Sequence, residues 1–148
     1  RDVLGSRGLG DVYKRQVDTG AYQAVNCRLR RPEVFAGAIG LSGIYDLARF
    51  WGSEADDLVL RCSPLQYLAE NGIADKLALA KAEENSLMLC AGQGAYEDDA
   101  KADTQALADL LKAEGLPAHL ELWGGDVSHE WYWWGKMLGL FVPRILEQ

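Results

Sequence analysis

The sequence predicts an α/β protein in which helices flank a mostly parallel sheet. Short, almost uninterrupted apolar runs are typical of strands that are buried on both faces. Segments with helical periodicity lie between these runs, and strands joined through helices need crossover connections, which produce parallel pairing. The 148 residues are enough for one domain with a hydrophobic core.

Residues 1–16 differ in composition from the rest of the chain. They are rich in glycine, follow neither a helical nor a strand period, and carry four Lys or Arg against two Asp. We interpret residues 1–16 as a non-native leader, translated from adapter or library sequence. The alternative is a native disordered arm. The folded domain is expected over residues 17–148.

From residue 17 onward, helical and strand patterns alternate. Apolar residues at helical spacing mark the helices, and apolar runs mark the strands. In chain order the sequence predicts a helix over 20–31, a strand over 34–42, helices over 63–71 and 74–84, a strand over 86–92, a helix over 97–115, a strand over 117–125 and a helix over 129–148.

Several residues at the ends of these segments support the assignment. Pro32 ends the first helix, and Ser63 is expected to cap the next one, with Pro64 at its first helical position. Gly115 ends the long helix, whose first turn is acidic as the helix dipole favours. The apolar stripe expected on this helix contains Leu107, Leu110 and Leu111. Pro143 predicts a bend in the last helix.

Composition restricts the possible partners. The net charge of −7 argues against a nucleic-acid partner, and no apolar run is long enough to span a membrane. Cys27, Cys62 and Cys90 show no C-x-x-C spacing and lie in apolar surroundings, which predicts reduced, buried thiols and a cytoplasmic location. With only His119 and His129 as histidines, no metal is expected, and no organic cofactor is expected because the sequence contains neither a phosphate loop nor a dinucleotide fingerprint.

Candidate functional residues lie at three places, two of which follow the strands expected over 86–92 and 117–125 while the third precedes the helix expected over 20–31. The sites of parallel sheets gather just past the carboxyl ends of strands. The candidates are Asp18 with Thr19, then Glu97, then His129. Nucleophile, acid and histidine occur in this chain order in α/β-hydrolases. The chemistry needs these types, because a neutral imidazole accepts the proton of a nucleophile while a carboxylate on its other nitrogen fixes the tautomer.

Each of these assignments has a simpler alternative. Glu97 and its neighbour Asp98 are also what a helix N-terminus favours, and Asp98 and Asp126 are alternative acids. A single loop histidine is more often solvated than catalytic, and His119, within a predicted strand, is interpreted as structural. Ser42 lies in "GLSGIYD", which fails the G-x-S-x-G pattern because its +2 position is isoleucine.

Aromatic residues are concentrated around the last loop and helix. Trp131 and Trp134 are expected to wall the site while they pack the last helix onto the sheet. The alternative is a platform on which sugars stack.

Four segments resemble the branch of the α/β-hydrolases that contains esterase D-like S-formylglutathione hydrolases and mycolyltransferases. In order they are "GAYQAVN", "LSGIYD", "GQGAYEDD" and "DVSHEWYWW". The resemblance runs from about residue 17 to the end. It implies the C-terminal part of an α/β-hydrolase fold, starting at the nucleophile elbow. It also implies a parent enzyme that cleaves small-molecule carboxylic esters, or other acylated substrates, through an acyl-enzyme without a cofactor.

The resemblance also assigns roles to individual residues. Asp18 falls on the nucleophile position, and the backbone N–H of Thr19 falls on the oxyanion hole. Glu97 falls on the acid and His129 on the base. Because Asp18 replaces serine, and because the strands before the elbow are absent, the chain as given is expected to be inactive.

Two alternative functions remain open at this stage. One is a non-catalytic protein that binds an ester or glycan through the Trp-rich wall. The other is an enzyme with an Asp nucleophile, of the dehalogenase or epoxide-hydrolase type. A sheet cut at the elbow would expose a strand edge, which predicts self-association.

Overall fold

A computed structural model describes residues 20–71 and 86–147. The leader, Asp18 with Thr19 and the predicted helix over 74–84 lie outside these residues. The elements are α1 over residues 20–30, β1 (Ala38–Leu41), α2 (Ala48–Trp51), a 3-10 helix (Gly52–Glu54), α3 (Asp57–Cys62), α4 (Pro64–Asn71), β2 (Leu87–Ala91), α5 (Asp98–Ala113), β3 (His119–Leu122) and α6 (Trp131–Leu146).

The three described strands form one parallel sheet in the order β1-β2-β3. In register, Ile39 of β1 lies beside Met88 of β2, and Leu89 of β2 lies beside Leu120 of β3. All five residues of β2 are buried, as expected for a central strand covered on both faces. The predicted mixed α/β class with a parallel sheet is therefore confirmed for the described residues.

Alternate residues of β2 point into two separate cores. Leu89 packs with α1 and α5, where Leu107 and Leu111 form the predicted apolar stripe. Met88 packs on the opposite face with α6, whose buried side chains include Phe141. Helices therefore cover both faces of the sheet, and the carboxyl ends of the three strands lie along one edge.

The first strand is shorter than predicted. Val34 and Phe35 belong to the expected apolar run, yet they are 60% and 41% exposed. Their backbone N–H groups donate to the carbonyl oxygen of Arg31 in a turn that follows α1. Because these hydrogen bonds are made within the turn, the sheet begins only at Ala38.

Residues 48–62 form two short helices and a 3-10 helix that no pattern predicted. The Asp56 side chain caps α3 by accepting from the N–H of Val59 at 3.0 Å. The hydroxyl of Ser63, expected to cap α4, donates to the carbonyl oxygen of Tyr45 and accepts from Leu47 N–H. A tertiary contact thus takes the place of the predicted cap.

Gly115 and Pro143 are two further residues that were expected to mark the end of a helix or a bend in it. Gly115 follows α5 with a φ of 71°, which confirms the predicted stop. Helix α6 continues past Pro143 to Leu146.

The prediction of buried cysteines holds for Cys90 alone, since Cys27 and Cys62 are only half-buried. In the described ranges, no helix combines the length and apolar character that crossing a membrane would require.

Candidate functional site

The loops that leave the three strands bring three polar side chains together at the carboxyl edge of the sheet. Ser42 directly follows β1, Glu97 lies in the loop after β2, and His129 lies in the loop after β3. They are 0%, 1% and 4% exposed. Buried polar groups in native proteins are hydrogen-bonded, and these three share one network.

Glu97 and His129 form the central contact. Nδ1 of His129 lies 3.1 Å from Oε1 of Glu97. The His129 backbone N–H also donates to the carbonyl oxygen of Ala95, at 3.0 Å, so the two loops are joined beside this pair. A carboxylate on Nδ1 orients an imidazole and favours the tautomer that keeps the proton on Nδ1.

Two glycines allow these loops to approach each other. Gly94 N–H donates to the carbonyl oxygen of Val127 at 2.9 Å, and a Cβ at Gly94 would lie 2.7 Å from that oxygen. A Cβ at Gly92 would overlap the same oxygen. The "GQG" segment is therefore explained by close backbone packing next to the Glu–His pair.

Glu97 is the carboxylate that reaches His129, and the two alternative acids lie elsewhere. Asp98 is exposed in the first turn of α5, as the helix dipole favours, and Asp126 is exposed in the loop before His129. Glu97 occupies the N-cap position of α5 without capping it through its side chain. Its other oxygen, Oε2, is buried and has no hydrogen-bond partner among the described residues.

Ser42 is a member of the site that sequence reasoning missed. Its hydroxyl donates to Oε1 of Glu97 at 2.8 Å and accepts from Nε1 of Trp134 at 3.0 Å. The sequence motif around Ser42 bears only on a nucleophile role, which it does not support because the motif lacks the second glycine of G-x-S-x-G. Its place directly after a buried strand was the available signal, because the candidate residues follow the ends of other strands in the same way.

The backbone at the site is unusual. Among the described residues, the two non-glycine residues with positive φ are Ser42, at 50°, and Tyr96, at 65°. Ser42 donates its hydroxyl to the carboxylate of Glu97, and Tyr96 directly precedes Glu97 in the chain. Left-handed backbone in such residues is uncommon and concentrates at functional sites.

Two tryptophans stand beside the histidine. The Trp134 ring meets the His129 ring edge-on, with centroids 4.8 Å apart, and Trp131 meets Trp134 edge-on at 5.3 Å. Trp134 is 3% exposed, whereas Trp131 is 54% exposed. The buried ring packs α6 onto the sheet, and the exposed ring borders the site.

His119 takes part in a different cluster, on β3. Its Nε2 lies 2.8 Å from Oε1 of Glu121, and its ring meets Phe141 edge-on. Glu121 also accepts from Arg144 of α6, at 2.8 Å. This cluster ties α6 to the sheet, in line with the structural role expected for His119. Within residues 20–71 and 86–147, no three His, Cys, Asp or Glu residues are placed to hold a metal ion.

The fold and the site define an α/β protein with a parallel sheet and a buried Glu–His pair at its carboxyl edge. Comparison with known proteins adds no closer assignment: no protein-family model, curated protein sequence or solved structure is significantly similar to this chain.

Proposed function

We propose that this chain carries the acid and base of a carboxylic ester hydrolase with an α/β-hydrolase fold. Glu97 is the acid that orients the imidazole, and His129 is the general base. Position 18 is the nucleophile position, and the backbone N–H of Thr19 contributes to the oxyanion hole. The observation that carries the proposal is the 3.1 Å contact between His129 Nδ1 and Glu97 Oε1 in a buried site.

The placement of the pair supports this assignment. Glu97 follows β2 and His129 follows β3, so acid and base leave neighbouring parallel strands in the chain order expected for this chemistry. With its proton on Nδ1, a neutral His129 presents the lone pair of Nε2 as the proton acceptor. Burial strengthens the interaction between the carboxylate and the imidazolium that forms when the base accepts a proton.

The proposed reaction needs a hydroxyl nucleophile. A serine hydroxyl would attack the ester carbonyl carbon while His129 takes its proton, and the alcohol would leave with that proton. Water would then hydrolyse the acyl-enzyme with the same base. A carboxylate at position 18 would instead form an anhydride, which lies uphill from an ester. The chain with Asp18 is therefore expected to show no measurable ester hydrolysis.

The test is to supply the hydroxyl. Asp18→Ser is expected to release a stoichiometric burst of p-nitrophenol from p-nitrophenyl acetate and to gain the mass of one acetyl group. Asp18→Ala is the matched control and should stay at the buffer blank. Adding His129→Ala to Asp18→Ser should remove the burst. An Asp18→Ser protein that folds and is neither acetylated nor active would argue against position 18 as the nucleophile.

A second candidate function is non-catalytic binding of an ester or glycan. The observation that favours it is the 54% exposure of Trp131 beside a buried site. Saturable quenching of tryptophan fluorescence by an acyl ester or sugar should then be lost in Trp131→Ala and kept in His129→Ala. Quenching that needs His129 as well would favour the hydrolase.

We further propose a cytoplasmic location, which the three free cysteines support. Self-association through a sheet edge is also proposed. Sedimentation of the full chain at micromolar concentration is expected to show oligomers, and a compact monomer would contradict this.

A further inference from the structure

We propose that Ser42 and Trp134 are positioning residues that set the tautomer of His129 by acting through Glu97. The inference rests on the proposed function, because the roles of acid and base come from it. It adds two residues that the triad chemistry does not require and gives each a defined task.

The direction of every hydrogen bond in the network follows from the chemistry of its first member. The indole N–H of Trp134 can only donate, so Ser42 Oγ is the acceptor of the 3.0 Å bond. The Ser42 hydroxyl proton then points to Oε1 of Glu97, 2.8 Å away. That oxygen is held as an acceptor, and Nδ1 of His129, at 3.1 Å from it, must donate.

A neutral imidazole carries one N–H. When Nδ1 donates to Glu97, Nε2 holds the lone pair, and the base is ready to accept a proton. Without a fixed acceptor at Nδ1, the proton could occupy either nitrogen. The chain from Trp134 through Ser42 and Glu97 therefore selects the reactive form of His129.

The network is rigid because each member is anchored by a different element. Trp134 lies in the buried core of α6, together with Met137 and Phe141. The Ser42 backbone N–H donates to the carbonyl oxygen of Cys90 at 2.7 Å, which holds Ser42 against the end of β2. Its φ of 50° is the uncommon conformation in which the described contacts are made.

The carboxylate of Glu97 depends on this support. Both described donors, the Ser42 hydroxyl and Nδ1 of His129, meet Oε1, whereas Oε2 has no partner among the described residues. Loss of the Ser42 hydroxyl would remove one of the two bonds that set the rotation of the carboxylate. We expect the carboxylate then to turn between orientations and to hold Nδ1–H less well.

The test uses the full chain with its native Asp18 and measures the imidazole directly. Nitrogen-15 NMR assigns the tautomer of neutral His129, and solvent exchange of the Nδ1 proton reports how firmly it is held. Ser42→Gly removes the hydroxyl and accepts positive φ without strain, whereas Ser42→Ala removes it and keeps the strain. Trp134→Phe removes the N–H and keeps an aromatic ring, and Trp133→Phe is the matched control.

In the native chain we expect the Nδ1–H tautomer to dominate. Ser42→Gly, Ser42→Ala and Trp134→Phe should each lower its fraction and speed Nδ1–H exchange by about threefold to tenfold, the value of one net hydrogen bond. Trp133→Phe should leave both readings unchanged. Agreement between Ser42→Gly and Ser42→Ala would assign the effect to the hydroxyl and not to the backbone.

Two results would overturn the inference. One is a dominant Nε2–H tautomer in the native chain, which needs no variant to observe. The other is a folded Ser42→Gly protein with unchanged tautomer and exchange. Neither result bears on the hydrolase proposal, which is tested separately by the acetylation of Asp18→Ser. Conversely, a tautomer that responds to Ser42, together with an unreactive Asp18→Ser protein, would reject the hydrolase and retain the network.

Discussion

Asp103 and Arg49 form an ion pair in which one partner is buried and the other faces solvent. Oδ1 of Asp103 lies 2.6 Å from Nη2 of Arg49, and Oδ2 accepts from the N–H groups of Tyr45 and Asp46, each at 2.8 Å. The Asp103 side chain is 1% exposed. These bonds tie α5, which begins directly after Glu97, to the segment that follows Ser42.

Removing the Asp103 carboxylate should therefore destabilise the fold. Asp103→Ala leaves two backbone N–H groups and one guanidinium nitrogen without this acceptor, and we expect the free energy of unfolding to fall by about 2–4 kcal/mol. Asp99→Ala is the matched control, because Asp99 binds the same Arg49 at 2.6 Å but is 69% exposed. It should cost less than about 1 kcal/mol. Urea unfolding of both variants measures the difference, and equal losses would contradict the role of burial.

A methyl group at Gly92 should disturb the site, whereas one at Gly139 should not. The Cβ of Gly92→Ala would overlap the Val127 carbonyl oxygen, so we expect a loss of about 1–3 kcal/mol and a weaker Glu97–His129 contact. Nothing lies within 4 Å of a Cβ at Gly139 within α6, and Gly139→Ala should stabilise the fold by about 0.5–1 kcal/mol. The midpoint temperature of thermal unfolding should fall for Gly92→Ala and rise for Gly139→Ala.

The cluster around Glu121 predicts a dependence of stability on pH. Burial raises the pKa of Glu121, whereas hydrogen bonds from His119, Trp123 and Arg144 lower it. The hydrogen bonds together have the larger effect, so the pKa of Glu121 lies below its ordinary value of 4.5. A lowered native pKa gives stability that is present above the unfolded pKa and lost as pH falls through the native one.

Glu121→Gln should accordingly destabilise the protein by about 1 kcal/mol at pH 7. The difference from the native chain should shrink as the pH falls through 4.5 and below. Glu54→Gln, at an exposed glutamate of the 3-10 helix, is the matched control and should change the free energy of unfolding at pH 7 by less than about 0.5 kcal/mol. Urea unfolding across this pH range tests the sign, and a difference that grows as the pH falls would contradict it.

The three cysteines should differ in reactivity. Burial raises the pKa of the Cys90 thiol well above its usual range, and Cys90 is 0% exposed, whereas Cys27 and Cys62 are half-buried. Because the thiolate is the reactive form, a disulfide reagent should modify two thiols in the folded chain and the third only after urea is added. Cys90→Ala should abolish only the reaction that requires urea. Fast reaction of all three thiols in the folded chain would contradict the buried position of Cys90.

Local patterns predicted the elements that are governed by local physics. The apolar run over 86–92 predicted β2, and the stripe containing Leu107 and Leu111 predicted α5, because periodicity follows directly from which face is buried. The pattern failed at Val34 and Phe35, where a turn uses the backbone hydrogen bonds of an apolar segment. It also missed α2 and α3, and α3 has no buried residue that periodicity could reveal.

By itself, the sequence determined the parallel α/β class and selected Glu97 and His129 as candidates. Hydrophobic runs show where strands occur along the chain, and the ends of these runs show where the loops begin. Tertiary structure alone decided that these two side chains meet, and that Ser42 and Trp134 join them. Ser42 and Trp134 are 92 positions apart, and no local pattern encodes a hydrogen bond across that separation. Such a contact exists only when β1 and α6 pack together and exclude water, because burial makes each polar group require a partner.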